Sequence, residues 1–94
     1  GYLRVPDDDV YTFELTSDDG SLLYVNNELV IDHNGLHGAT SETGSIALAS
    51  GHHKLGVLFF QAGGGRELAL RVRRGSGLFE PVPDEWYSAA QTEE

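Results

Sequence analysis

Between Tyr11 and Thr16 apolar and polar residues alternate one for one, with Tyr11, Phe13 and Leu15 on one side and Thr12, Glu14 and Thr16 on the other. A period of two is what a strand with one buried face requires. The same pattern returns at Leu68, Leu70 and Val72, set among Glu67, Ala69, Arg71 and Arg73. Leu23-Tyr24-Val25 and Glu28-Leu29-Val30-Ile31 flank Asn26-Asn27. That spacing predicts a hairpin, because asparagine tolerates the positive φ of a two-residue primed turn. Ser45–Ala49 reads as another half-buried strand, closed by Ser50-Gly51. His53–Phe60 becomes apolar on both faces and is expected at the centre of a sheet.

Between these runs, turn-forming residues recur about every ten positions. Asp32–Gly38 reads as a loop, extended by Ala39–Gly44, and Gln61–Gly65 as a glycine loop. After Gly75 the chain turns irregular, and Phe79, Val82 and Trp86 are expected to pack back on the edge, punctuated by Pro81 and Pro83. No convincing helix or repeat occurs. The economical fold is all-β: an antiparallel two-sheet β-sandwich of about six or seven strands, one domain over residues 1–87 with a polar tail over 88–94.

The chain has 94 residues and no cysteine, so no disulfide supports its core. Fifteen acidic residues against six basic ones give a formal charge of -9. Such a surface argues against nucleic acid and anionic membranes, and suits cations and neutral polar ligands. The longest apolar run, Leu55–Phe60, is far too short to span a membrane. The opening at Gly1-Tyr2-Leu3 suggests a module with other domains of a larger parent protein around it. Arg66, Arg71, Arg73 and Arg74 cluster, and alternation puts Arg71 and Arg73 on one outward face, where a solvated basic strip is expected.

Ser17-Asp18-Asp19-Gly20-Ser21 joins two of the predicted strands. Adjacent side chains on a regular strand point to opposite faces, so two neighbouring carboxylates meet at one ion only where the backbone leaves strand geometry. A hard, oxygen-ligated cation such as Ca²⁺ would give it reason to. A solvated turn uses the same residues.

The string Val10–Ser21 resembles the signature of the anthrax protective-antigen-like domain family (the PA-fourteen domain). Three further pieces match in order: Leu29-Val30-Ile31-Asp32 with Gly35 and His37; Ile46–Leu55; and Phe59–Gly65 leading into Glu67–Leu70. The resemblance implies a jelly-roll type sandwich, shortened here at its N-terminal side, from a secreted or surface protein. In the family's lectin members an Asp-Asp pair joined by a cis peptide chelates Ca²⁺, which then binds vicinal sugar hydroxyls. The resemblance assigns that role to Asp18 and Asp19. A second loop would add Gln61, standing for the family's Asn, and backbone carbonyls of Gly63 and Gly65. Gly64 would border the sugar; by position Asn34 would too, although Asn34-Gly35 reads equally as a turn signal. These are fewer ligands than the six to eight that Ca²⁺ takes, so water or sugar hydroxyls would fill the remainder.

The implied function is a non-catalytic, calcium-dependent carbohydrate-binding module of lectin or adhesin type, with a glycan or simple sugar as partner. It would be extracellular or at the cell surface and would not insert into a membrane. The alternative is a structural or protein-interaction sandwich that binds no sugar. The glycine loop carries no aromatic side chain to stack on a sugar, so single-sugar affinity is expected to be weak or selectivity broad. Asp18 and Asp19 stand too close for two-carboxylate glycosidase geometry. His33 with His37, and His52 with His53, lack the further ligand that zinc needs. Asp7-Asp8-Asp9 after Pro6 reads as a solvated turn.

Overall fold

A computed structural model describes residues 1–17, 20–33, 40–59 and 68–88. Nine strands run through them: β1 (Tyr2–Val5), β2 (Asp9–Ser17), β3 (Ser21–Val25), β4 (Glu28–His33), β5 (Thr40–Leu48), β6 (Gly51–Phe59), β7 (Leu68–Arg74), β8 (Glu80–Pro81) and β9 (Tyr87–Ser88). They form two antiparallel sheets, ordered β4-β3-β6-β1-β9 and β5-β2-β7-β8. β6 holds the centre of the five-stranded sheet, as its two-sided apolarity predicts. β8 and β9 are two-residue strands that sequence alternation is too short to reveal.

The sheets close on Leu3, Val5, Tyr11, Phe13, Leu15, Leu23, Val25, Ile31 and Val72, each at most 2% exposed. Burial of one such side chain contributes about 1.5–3 kcal/mol. The inward set on β2 is the alternation read from sequence. Asn26 and Asn27 adopt φ of 55° and 67°, completing the β3–β4 hairpin as a left-handed pair. Asn26 also ties this turn to the central strand. Its N–H donates to the Lys54 carbonyl at 2.9 Å, and its Oδ1 accepts from the Lys54 N–H at 3.1 Å.

The loop expected over Ala39–Gly44 is corrected from Thr40 onward. Thr40 to Gly44 belong to β5 and pair with Ser17 to Phe13 on β2. Composition misleads because this half of β5 keeps an outward polar row. Thr16 and Ser41 hydroxyls meet at 2.6 Å, and those of Thr12 and Ser45 at 2.7 Å. On the inward side Gly44 faces the backbone of β4 in place of an apolar side chain. A Cβ there would lie 2.1 Å from the Val30 carbonyl oxygen.

The arginine strip is not loose in solvent. Arg71 Nε donates to Glu14 Oε1 at 2.6 Å, and Arg74 Nη1 to Asp7 Oδ2 at 2.6 Å. The Arg73 guanidinium lies 4.9 Å from the Phe79 ring centre. Val82 is buried, and Trp86 meets Tyr11 edge to face at 6.1 Å, so the irregular C-terminal segment packs as expected.

The aspartates after Pro6 likewise do more than face water. Asp7 pairs with Arg74, and Asp8 Oδ1 accepts from the Ser50 N–H at 2.8 Å. The Tyr11 hydroxyl donates to the Asp7 carbonyl at 2.6 Å from a fully buried ring. Burial raises the Tyr11 phenol above its ordinary value of 10.0, outweighing the Asp7 N–H that donates to the phenol oxygen at 3.3 Å. A phenol raised by folding contributes stability that is complete below the unfolded value and is lost as pH rises through the folded one. Stability is therefore expected to fall above about pH 10. Tyr11→Phe should flatten that fall and cost about 1 kcal/mol at neutral pH through the lost hydrogen bond. Denaturant titrations at pH 8 and pH 11 read both, and an alkaline slope identical in the variant would remove Tyr11 as its cause.

Candidate functional site

Three connections leave the sandwich at one end, and the strand register fixes this. β2 ends at Ser17 and β3 begins at Ser21, either side of residues 18–19. β4 ends at His33 and β5 begins at Thr40, either side of residues 34–39. β6 ends at Phe59 and β7 begins at Leu68, either side of residues 60–67. Ser17 is paired with both Thr40 and Leu68, and Ser21 with both His33 and Phe59. Each sheet thus contributes one row of three stem residues, centred on a serine.

The two serines join the rows. Ser17 Oγ and Ser21 Oγ meet at 2.7 Å, and neither residue has any exposed surface. In that dry position the bond fixes the base of the connection at 18–19 more firmly than a solvated hydroxyl pair would. A second tie spans the connection at 34–39. His33 Nε2 lies 2.9 Å from the Thr40 carbonyl oxygen and 3.0 Å from Thr40 Oγ1. A carbonyl only accepts, so Nε2 carries the proton.

Every residue assigned to the site from sequence falls on one of these three connections. Asp18 and Asp19 belong to the first, Asn34 to the second, and Gln61, Gly63, Gly64 and Gly65 to the third. All seven lie outside the described residues, as do the peptide bond between the aspartates, His37 and Arg66. The stems of the connections at 18–19 and 60–67 therefore lie at the same end of the sandwich. β2 and β6 lie in opposite sheets, and their ends meet through Ser17 and Ser21.

In the sequence Ser17 and Ser21 stand out only as flanks of the aspartates. The available signal was a hydroxyl at each end of Asp-Asp-Gly, four positions apart. The histidines divide as follows. His53 donates from Nε2 to the Ala49 carbonyl at 2.7 Å, and its Nδ1 accepts from Asn26 Nδ2 at 2.8 Å. His52 stands on the outward face, opposite Arg4. Among the described residues no three His, Cys, Asp or Glu side chains group closely enough to hold a metal ion.

An antiparallel sandwich with three connections gathered at one end describes a class of β-sandwich modules, and the comparisons narrow it. The PA14 domain profile matches residues 1–86, so the chain belongs to the PA14 domain family. No curated protein matches. Among solved structures, an anti-sigma factor domain-containing protein from Clostridium clariflavum is similar over the whole chain, with 25% identity and a TM-score of 0.87. The chain spans 32% of that protein, and 34% of another bearing the same description. A PA14 sugar-binding domain from an RTX adhesin is 26% identical at a TM-score of 0.74, over 85% of this chain and 47% of that one. The PA14 domain of the antifreeze protein MpAFP shares the fold, at 20% identity and a TM-score of 0.78.

Proposed function

We propose that this PA14 domain is a calcium-dependent carbohydrate-binding module without catalytic activity. Asp18 and Asp19 would be its charged calcium ligands. Gln61 with the carbonyls of Gly63 and Gly65 would complete the protein's share. Gly64 and Asn34 would border a sugar whose vicinal hydroxyls occupy open positions on the ion. The observation that carries this reading is the convergence of the stems of all three connections through the buried Ser17–Ser21 bond. A sugar-binding PA14 domain among the similar structures supports the ligand class. The net charge of -9 favours a cation. On this reading the domain works outside the cell or at its surface, beside the other domains of a larger protein.

The test is a set of thermal melts with Ca²⁺, with chelator, and with Ca²⁺ plus each of a panel of neutral monosaccharides. A ligand bound only by the folded state raises the Tm by mass action. Expected are a rise with calcium and a smaller further rise with a vicinal diol sugar, seen only while calcium is present. Melts indifferent to calcium would refute the proposal. They would favour a structural module, a reading supported by likeness along the full chain to about a third of two larger proteins.

A further inference from the structure

A second, separate feature of the sandwich also bears on ligand binding. The outward face of the five-stranded sheet is set by its register. Tyr24 on β3 stands opposite Gly56 on β6, and Tyr2 on β1 opposite Lys54. Lys54, Gly56 and Leu58 alternate outward, while Leu55 and Val57 pack on the core. Where the central strand passes between the two tyrosines it has no side chain. The result is a cleft of about 360 Å³, lined among others by Tyr2, Tyr24, Gly56 and Leu58, with Lys54 and Asn27 at its rim. The rim is held in place, because Asn26 bonds the backbone of Lys54 in both directions and its amide also reaches His53.

Charge singles out this face. On the other sheet Arg71 and Arg74 are neutralised by Glu14 and Asp7, while Arg73, without a carboxylate partner among the described residues, lies half-buried against the Phe79 ring. Lys54, the only lysine in the chain, has no carboxylate partner among the described residues; neither has Arg4. Both face outward here, with His52 paired to Arg4 and Lys54 paired to Tyr2. Among the described residues one carboxylate, Asp32, shares the face by register, beyond Leu22 at the other edge. On a molecule of charge -9, two unneutralised cations beside two half-buried tyrosines select an anion with an apolar ring face.

We infer that the Tyr2–Tyr24 cleft is a second glycan site, specific for sugars that carry a carboxylate. The tyrosine rings would take the sugar's C–H faces, Asn27 a hydroxyl, and Lys54 the carboxylate. The volume sits at the small end of ligand pockets and suits a short saccharide. This site lies on a sheet face, does not use the connections at the sandwich end, and needs no calcium.

The test is calorimetric titration with trigalacturonate in excess EDTA, which silences the proposed calcium site and keeps the two proposals distinguishable. Binding is expected to persist in EDTA. It should weaken about tenfold in Tyr24→Ala and in Lys54→Gln, and also for the methyl-esterified trimer and at 0.5 M salt. Lys54→Gln alters an exposed side chain and so remains informative if Tyr24→Ala melts early. No binding in EDTA would overturn the inference and leave the face to a neighbouring domain. Equal binding of the methyl ester, or full affinity in Lys54→Gln, would overturn its charge selectivity. Unchanged affinity in a folded Tyr24→Ala would overturn the location.

Discussion

Replacing Gly44 with valine is expected to lower the Tm by about 12 °C or more, the equivalent of at least about 3 kcal/mol in a domain of this size. Its Cβ would stand 2.1 Å from the Val30 carbonyl oxygen and 3.0 Å from both the Val30 carbonyl carbon and Ile31 Cγ1. Most of these atoms are backbone, so no rotamer change relieves the clash, and β4 must separate from β5. These two strands are edges of different sheets, and their approach closes one side of the sandwich. A domain of this size has about 5–14 kcal/mol of stability in all, so the variant spends a large share of it. The control is Ala47→Val, an exposed position on the same strand, expected to change stability by less than about 0.5 kcal/mol. If Gly44→Val melts within about 4 °C of the parent, the close approach is not a fixed feature of the fold.

The second large effect concerns calcium. If the proposed site holds calcium, Asp18→Ala and Asp19→Ala are each expected to reduce calcium affinity at least about 100-fold, because each would remove a charged ligand from a site with few to spare. Ser21→Ala should fall between these and the parent. It keeps every proposed ligand but breaks the buried hydroxyl bond to Ser17, costing about 1 kcal/mol of stability and about tenfold in calcium affinity. Calcium titrations by calorimetry, beside melts in chelator, separate the two losses. Full calcium affinity in Asp18→Ala would exclude the pair as ligands. Full affinity with lowered stability in Ser21→Ala would make the serine bond purely architectural.

The strands that alternate cleanly were legible in the sequence. Tyr11, Phe13, Leu15 and Val72 point inward as the pattern requires, and Asn26-Asn27 turns where two positive-φ residues belong. The polar half of β5 was hidden because its partner on the inward side is the backbone of β4, and no local pattern encodes a distant carbonyl. The fate of the arginines was hidden for a similar reason. Glu14 lies 57 positions from Arg71 in the chain and becomes its neighbour only when β2 pairs with β7. At the candidate site, sequence picked out the connections, and the fold adds that their six stem residues assemble around Ser17 and Ser21. The tyrosine cleft could not be read locally, since Tyr2, Tyr24 and Gly56 sit on three strands in non-sequential order.

The pairing of β1 with β9 has a mechanical consequence. Tyr2 stands opposite Ser88 and Leu3 opposite Tyr87, so a chain continuing from both strands leaves the domain side by side. Tension applied through those two exits acts across the ladder, not along it, and loads one residue pair at a time. The short β9 peels away first, Tyr2–Ser88 before Leu3–Tyr87.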